Sequence, residues 1–349
     1  MKLKKILTAV LLLGSLASQA HDFTATVNGQ RLCFEITNKT ARTVAVTYDG
    51  SIADKKVPTV SGTVEIPAKV KHNDVVYNVK AIGRKAFANA DRLKGIVIPA
   101  GVEEIGDFAF EDCDSLRSVV FPGNPVVFGQ GVFFKCPEIA DVTVGSDWKV
   151  MDLTMFRWSD RLAAINVPAK IEKIQGIKQL QHLERLTVDP NNGTFSSDNG
   201  MLYSKNGESL LICPRARGGK IIVREGTVKI APGALTDCVS VTSIDLPASL
   251  ESVSFRETSR MKGLATIVLR NEKPILTGYL GDEGKFFFQL ANPKAQIIVP
   301  ANAKGAYVKS LATAPGEYSA HPGALPYPIS AAELPSAKNI KGVKNFDKY

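Results

Sequence analysis

The chain has 349 residues, 44% of them hydrophobic and 22% charged, apolar enough to bury a large core, too apolar for bulk disorder, and long for one ordinary compact domain. The formal net charge is +9, but the basic residues are scattered and form no basic-aromatic stripe, so a nucleic-acid partner is not expected. The 28 glycines and 19 prolines are spread along the chain and predict many turns.

Residues 1–20 read as a signal peptide. Met1-Lys2-Leu3-Lys4-Lys5 is a basic start, Ile6 to Leu16 is an apolar run, and Ser18-Gln19-Ala20 places small residues for cleavage after Ala20. The run is well short of the ~20 residues a spanning helix needs. No cysteine stands at the cleavage point, so no lipid attachment is expected, and no later segment is long and apolar enough to span a membrane. The chain is therefore expected to be exported: to the periplasm, to the cell surface or into the medium. Loss of Lys2, Lys4 and Lys5 leaves it still basic.

Residues 21–63 read as a small N-terminal β cap. Apolar and polar residues alternate in Arg31–Thr37 and Thr43–Tyr48, and Asn28-Gly29 is a strong hairpin signal. A stack of repeats exposes core at its ends and needs such a cap.

From about residue 64 the chain repeats itself. Stepping by 23 gives Phe87, Phe110, Phe133 and Phe156, and then Leu93, Leu116, Ile139 and Leu162. It also gives Ile96, Val119, Val142 and Ile165; Ile98, Phe121, Val144 and Val167; and Ile82, Ile105, Phe128 and Met151. Leu183, Leu186 and Val188 continue two residues early, and the pattern resumes with Ile230, Ala234, Leu235, Cys238, Val241, Ile244 and Leu246. Leu250, Val253, Leu264, Ile267 and Leu269 make another unit, and Ile297 and Val299 mark a last one. A period in this range, over about eight units, predicts an α/β, β-rich solenoid over residues 64–310. Each unit buries its apolar face only against its neighbours, so matching columns become ladders of like side chains. Stretches such as Leu116–Pro122 alternate with period 2 and end in Pro or Gly, as a strand does.

Thr194 to Ile212 reads as a hairpin insertion bulging from the stack, with turns at Asp198-Asn199-Gly200 and Lys205-Asn206-Gly207. A second excursion at about 271–295 carries Phe286, Phe287 and Phe288, which either pack on the stack or form an exposed contact patch. Residues 311–349 read as a tail, Pro/Ala-rich and then basic, that partly covers the last unit and ends mobile. Its last stretch, Lys338–Tyr349, holds four lysines and one aspartate and reads as solvated, or more sharply as a patch for an acidic polymer or surface.

The segments IGRKAFANADRLKGIVIP, IGDFAFEDCDSLRSVVFP and IAPGALTDCVSVTSIDLP resemble the BspA-type leucine-rich repeat family, as does the insertion VDPNNGTFSSDNGMLYSKNGESLLICP. The resemblance spans roughly residues 64–307. It implies a curved leucine-rich repeat stack in an exported bacterial protein, often one at a surface or in contact with a host, and it implies no single ligand. Two units depart from the pattern. MDLTMFRWS lacks the Ile-Gly, and Arg256–Met261 lacks the Ala-Phe pair, so both are expected to be locally irregular.

The four histidines, His21, His72, His182 and His321, are far apart in sequence. No HExxH, zinc-spaced Cys/His cluster, GxSxG or phosphate-binding glycine loop occurs in a suitable setting. Asp189–Gly193 and Ser197–Gly200 read as Asx-type turns rather than calcium loops. Cys113 and Cys136 share a repeat column with parallel side-chain directions, and of a disulfide and buried free thiols the latter is the better reading. No catalytic residue, metal ligand or cofactor is expected, and the chain does not read as an enzyme.

With Val119 and Phe121 pointing inward, their neighbours point out. This gives a candidate binding face of Val97, Ser118, Val120, Asp141, Thr143, Asn166, Arg185, Thr187, Ser243, Asp245, Thr266 and Val268, varied from unit to unit where the inward columns are not. The expected function is binding of a protein or glycan, at a cell surface or host, through this face. The alternative is a scaffold component of a periplasmic or outer-envelope complex, with the Thr194–Ile212 hairpin as its contact.

Overall fold

In the computed structural model, residues 21–49, 58–123, 127–253, 255–275, 290–311 and 335–349 are described. The signal peptide, Phe286–Phe288 and the Pro/Ala-rich part of the tail lie outside them. Among the described residues no helix is long and apolar enough to cross a membrane.

The alternating stretch after Ala20 forms an antiparallel ribbon. β1 (Phe23–Val27) pairs with β2 (Gln30–Asn38), and β2 with β3 (Thr43–Thr47). Asn28 and Gly29 turn the first corner with φ of 48° and 78°, the positive values a tight hairpin demands. β4 (Gly62–Glu65) follows, then a second hairpin of β5 (Lys69–His72) and β6 (Val75–Ile82). β6 pairs in parallel with β3, which joins the ribbon to the repeats.

Each repeat then supplies one longer and one shorter strand. In chain order these are β7 (Leu93–Val97), β8 (Glu104–Ile105), β9 (Ser118–Phe121), β10 (Val127–Phe128), β11 (Asp141–Val144), β12 (Val150–Asp152), β13 (Ala164–Val167), β14 (Lys173–Gln175) and β15 (Arg185–Val188). The longer repeat strands pair in parallel as β4-β7-β9-β11 and as β13-β15, the shorter ones as β8-β10, which continue from β6, and as β12-β14. Register follows the columns. Val119 lies between Ile96 and Val142, and the early unit brings Leu186 beside Ile165. Phe87, Phe110, Phe133 and Phe156 stack face to face, each ring centroid 5.1 Å from the next. Burying each ring contributes roughly 1.5–3 kcal/mol.

The two irregular units are built from 3-10 turns. Thr154–Phe156 forms one and keeps Phe156 in the ring stack. Phe255–Thr258 forms the other, and there buried Glu257 accepts hydrogen bonds from the backbone N–H of Gly233 (2.6 Å) and Leu235 (2.7 Å). Burial raises the Glu257 pKa, and those N–H groups oppose the rise.

Thr194–Ile212 does not bulge from the stack. β16 (Phe195–Asp198), β17 (Met201–Ser204) and β18 (Ser209–Ile212) form an antiparallel meander. β17 alternates between two apolar clusters: Leu202 belongs to the one that begins at Phe23, and Met201 and Tyr203 to the one that ends at Ile340. Asn192, expected only in a turn, is fully buried. Its side chain donates to the carbonyls of Pro168 and Ile171 in the preceding unit and accepts from the N–H of Thr194 and Phe195.

The last part comprises β19 (Gly219–Ile222), β20 (Lys229–Ile230), β21 (Val241–Leu246), β22 (Thr266–Leu269), β23 (Gln296–Pro300), helix α1 (Lys304–Ser310) and β24 (Ile340–Val343). β20 pairs with β18, and the remaining strands form one parallel sheet in the order β19-β21-β22-β23-β24. The expectation of a mobile basic end is thereby corrected. Ile340 has the apolar character to sit beside Ile297 and extend the inward column, so the tail returns as a strand.

All five cysteines are free and buried. The Cys113 and Cys136 thiols donate to the carbonyls of Phe87 (3.2 Å) and Phe110 (2.9 Å). The same column position thus makes the same contact in consecutive units.

Candidate interaction surface

The inward columns above determine where the outward residues stand. On the N-terminal ladder they form two rows across the strands, Thr63-Gly95-Ser118-Asp141 and Glu65-Val97-Val120-Thr143. Ala164 and Arg185 continue the first row on β13 and β15, and Asn166 and Thr187 the second. Asp141, Thr143, Asn166, Arg185 and Thr187 are exposed, and Val97, Ser118 and Val120 are partly so. Gly95 is the low point of the first row. A Cβ there would stand 2.6 Å from Ser118 Oγ and 2.9 Å from Thr63 Oγ1, so the two hydroxyls close over the glycine.

The C-terminal ladder carries the remaining four expected residues differently. Ser243 and Thr266 are partly exposed, but Asp245 is only 3% exposed and Val268 fully buried. These two correct the expected face. They point outward, as alternation dictates, and the chain's own end covers that side. Arg270 grips Asp245 with two hydrogen bonds of 2.9 Å, Nε to Oδ1 and Nη2 to Oδ2, and its guanidinium lies 5.2 Å from the Phe346 ring. Lys220, on β19, approaches Asp245 at 3.5 Å and donates to a backbone oxygen of Tyr349, while Lys341 of β24 lies 5.5 Å from the Tyr349 ring. Residues 344–349 thus cross from β24 toward β19 on the outward side. The Asp245 hydrogen bond raises the Arg270 pKa further.

Away from the outward rows, exposed charges pair between units. Lys80–Glu103, Arg161–Glu138 and Lys170–Asp147 pair at 2.8, 3.0 and 2.6 Å. Such exposed pairs contribute little stability. Lys170 holds the Asp147 carboxyl below its ordinary range.

Sequence reasoning missed the Asp245–Arg270 clasp and the return of the tail. Neither leaves a periodic trace, since the clasp joins an outward aspartate to a residue just beyond the next strand, and β24 follows a non-repeating stretch.

A family model described as BspA type leucine rich repeat region matches residues 69–195 in six copies. No curated protein matches the chain. Among solved structures, the chain is similar to the pneumococcal vaccine antigen PcpA, at 15% identity over 81% of this chain and 83% of that one, with a TM-score of 0.43. It is similar to a leucine-rich repeat protein of Bacteroides ovatus, at 20% identity over 77% of each chain and a TM-score of 0.41. A leucine rich cell surface protein of Faecalibacterium prausnitzii matches at 17% identity over 80% of this chain and 89% of that one, with a TM-score of 0.36.

Proposed function

With residues 69–195 belonging to the BspA type leucine rich repeat family, we propose that the chain is an exported, non-enzymatic binding protein. Its ligand, a protein or glycan, docks on the outward rows from Thr63 to Thr187. In this reading residues 1–20 are removed on export, 21–63 cap the stack, and 64–310 form one curved solenoid of about eight units. The tail closes the far end. The observation that carries the reading is the contrast along the outward side. The rows from β4 to β15 are largely open and chemically varied above apolar columns, whereas on the β19 to β24 side Asp245 and Val268 are buried and residues 344–349 lie against Arg270 and Lys220. Varied outward rows on a repeating core are how stacked repeats present a binding face.

The test has two steps. Protease shaving of intact producing cells decides whether the chain is outside, since loss of the mature protein under conditions that spare periplasmic markers is expected for a surface ligand. A photo-crosslinking residue is then placed at Thr143 or Asn166, and as control at Lys173 on the opposite wall. Crosslinks from the first two and not the third support the reading, and equal labelling from all three overturns it.

A further inference from the structure

The N-terminal ribbon brings together three metal-ligating side chains that no spacing rule connects. His21 stands just before β1, Cys33 in the middle of β2, and Asp49 just beyond β3. His21 Nδ1, Cys33 Sγ and a carboxylate oxygen of Asp49 all lie within 4.8 Å of one another, and Nδ1 is 3.9 Å from Asp49 Oδ1. We propose that these three groups bind one divalent transition-metal cation, zinc by the nature of the donors.

Three observations carry the proposal. His21 Nδ1 is buried and has no hydrogen-bond partner among the described residues; such atoms are rare, and a bound ion is among their explanations. The donor set is imidazole, thiol and carboxylate, which together suit zinc better than calcium or magnesium. The geometry is close to what the ion needs. Bond lengths of ~2.0–2.3 Å set ligand separations of about 3.4–3.8 Å in a tetrahedron, so closure moves each atom by less than about 1 Å. Arg31 holds Asp49 from the side, its Nη1 2.5 Å from Oδ2, and orients the carboxylate as outer partners of metal ligands do. Its positive charge weakens the site for any cation, so affinity rests on the thiolate.

Cys33 is 6% exposed, and burial, with Asp49 adding to it, pushes its thiol up. It enters the site as a thiol, and the metal displaces its proton to the solvent as the metal–sulfur bond forms. Cleavage after Ala20, an expectation from the leader, makes His21 the first residue of the exported chain. Its α-amine then shares a six-membered chelate ring with Nδ1 and supplies the fourth donor. This last ligand rests on that processing reading, and the three side chains do not.

The test uses the full chain as exported and processed by producing cells, reduced, stripped with chelator and kept anaerobic. Zinc titration against a chromophoric chelator is expected to give one ion per chain. Cobalt(II) is expected to give a thiolate-to-metal charge-transfer band that Cys33→Ser removes. His21→Ala and Asp49→Asn are expected to weaken zinc by at least ~100-fold, the upper size seen for lost outer partners alone. If Cys33→Ser does not fold, zinc is expected to slow alkylation of Cys33 in the unaltered chain at least tenfold, read by peptide mass spectrometry. No retained zinc, a charge-transfer band that survives Cys33→Ser, or alkylation indifferent to zinc overturns the proposal. A glycine inserted before His21 is expected to weaken binding about tenfold, because it blocks the amine chelate; unchanged affinity overturns the amine's part alone.

Discussion

Val120 and Val268 hold the same place in their repeats, second outward position of the longer strand, yet Val120 is partly exposed and Val268 fully buried. Both obey the same alternation, and both stand above the same apolar columns. Outside the repeat the two ladders also differ: among the described residues, 344–349 lie against the outward side of one, at Arg270, Lys220 and Lys341, and not of the other. Strand pattern decides which way a side chain points; whether it meets solvent depends on where distant parts of the chain end up.

Ending the chain after Val343 attacks that difference most directly. It removes Phe346 from Arg270 and Tyr349 from Lys220 and Lys341, at no more than roughly 1.5–3 kcal/mol for each lost ring. Hydrogen exchange is expected to quicken in β22, β23 and β24 and stay unchanged in β7, β9 and β11. Equal quickening in both ladders would break the comparison. Arg270→Ala comes next. It leaves the buried Asp245 carboxylate with Lys220 at 3.5 Å and is expected to cost about 3 kcal/mol, the low end for a broken buried pair, because Arg270 is itself half-buried. Denaturant titration checks it.

On the open ladder, Gly95→Val forces Ser118 and Thr63 apart. A cost of about 1–3 kcal/mol is expected from overpacking, together with loss of ligand capture. Thr143→Ala and Asn166→Ala sharpen the contrast further, since they are expected to change stability by no more than about 0.5 kcal/mol while reducing capture. The smallest effect is expected at Asp147. Its carboxyl is held below the ordinary range by Lys170, so the pair stabilises above the ordinary carboxylate range and the gain fades as pH falls through the lowered value. The side chain is largely exposed, so Asp147→Asn is expected to leave Tm unmoved at neutral pH and only slightly flatten the acid side of the stability curve.

The repeat itself was legible because each column demands like residues. Phe87, Phe110, Phe133 and Phe156 sit at equal steps and stack as equal steps require. The early step to Leu186 was legible for the same reason and appears as its pairing with Ile165. The meander from β16 to β18 shows in the sequence as turns but not as part of the core, because turn residues report chain reversal and not burial. Asn192 looks like any turn asparagine until its partners in the preceding unit are known. The sequence of β24 reads as a solvated tail because four lysines dominate its neighbourhood, while one well-placed isoleucine, Ile340, joins the inward column. His21, Cys33 and Asp49 meet through strand register in an antiparallel ribbon, which linear spacing does not encode.

A stack whose units touch only their neighbours can melt piecemeal from either end. β17 interrupts that freedom. One strand lends Leu202 to one apolar cluster and Met201 and Tyr203 to the other, so neither cluster can dissolve without dislodging a wall of its neighbour. Under mechanical load, β17 is the rivet through which tension on one half reaches the other, and a force-extension trace on the chain should show the two halves yielding in a single event.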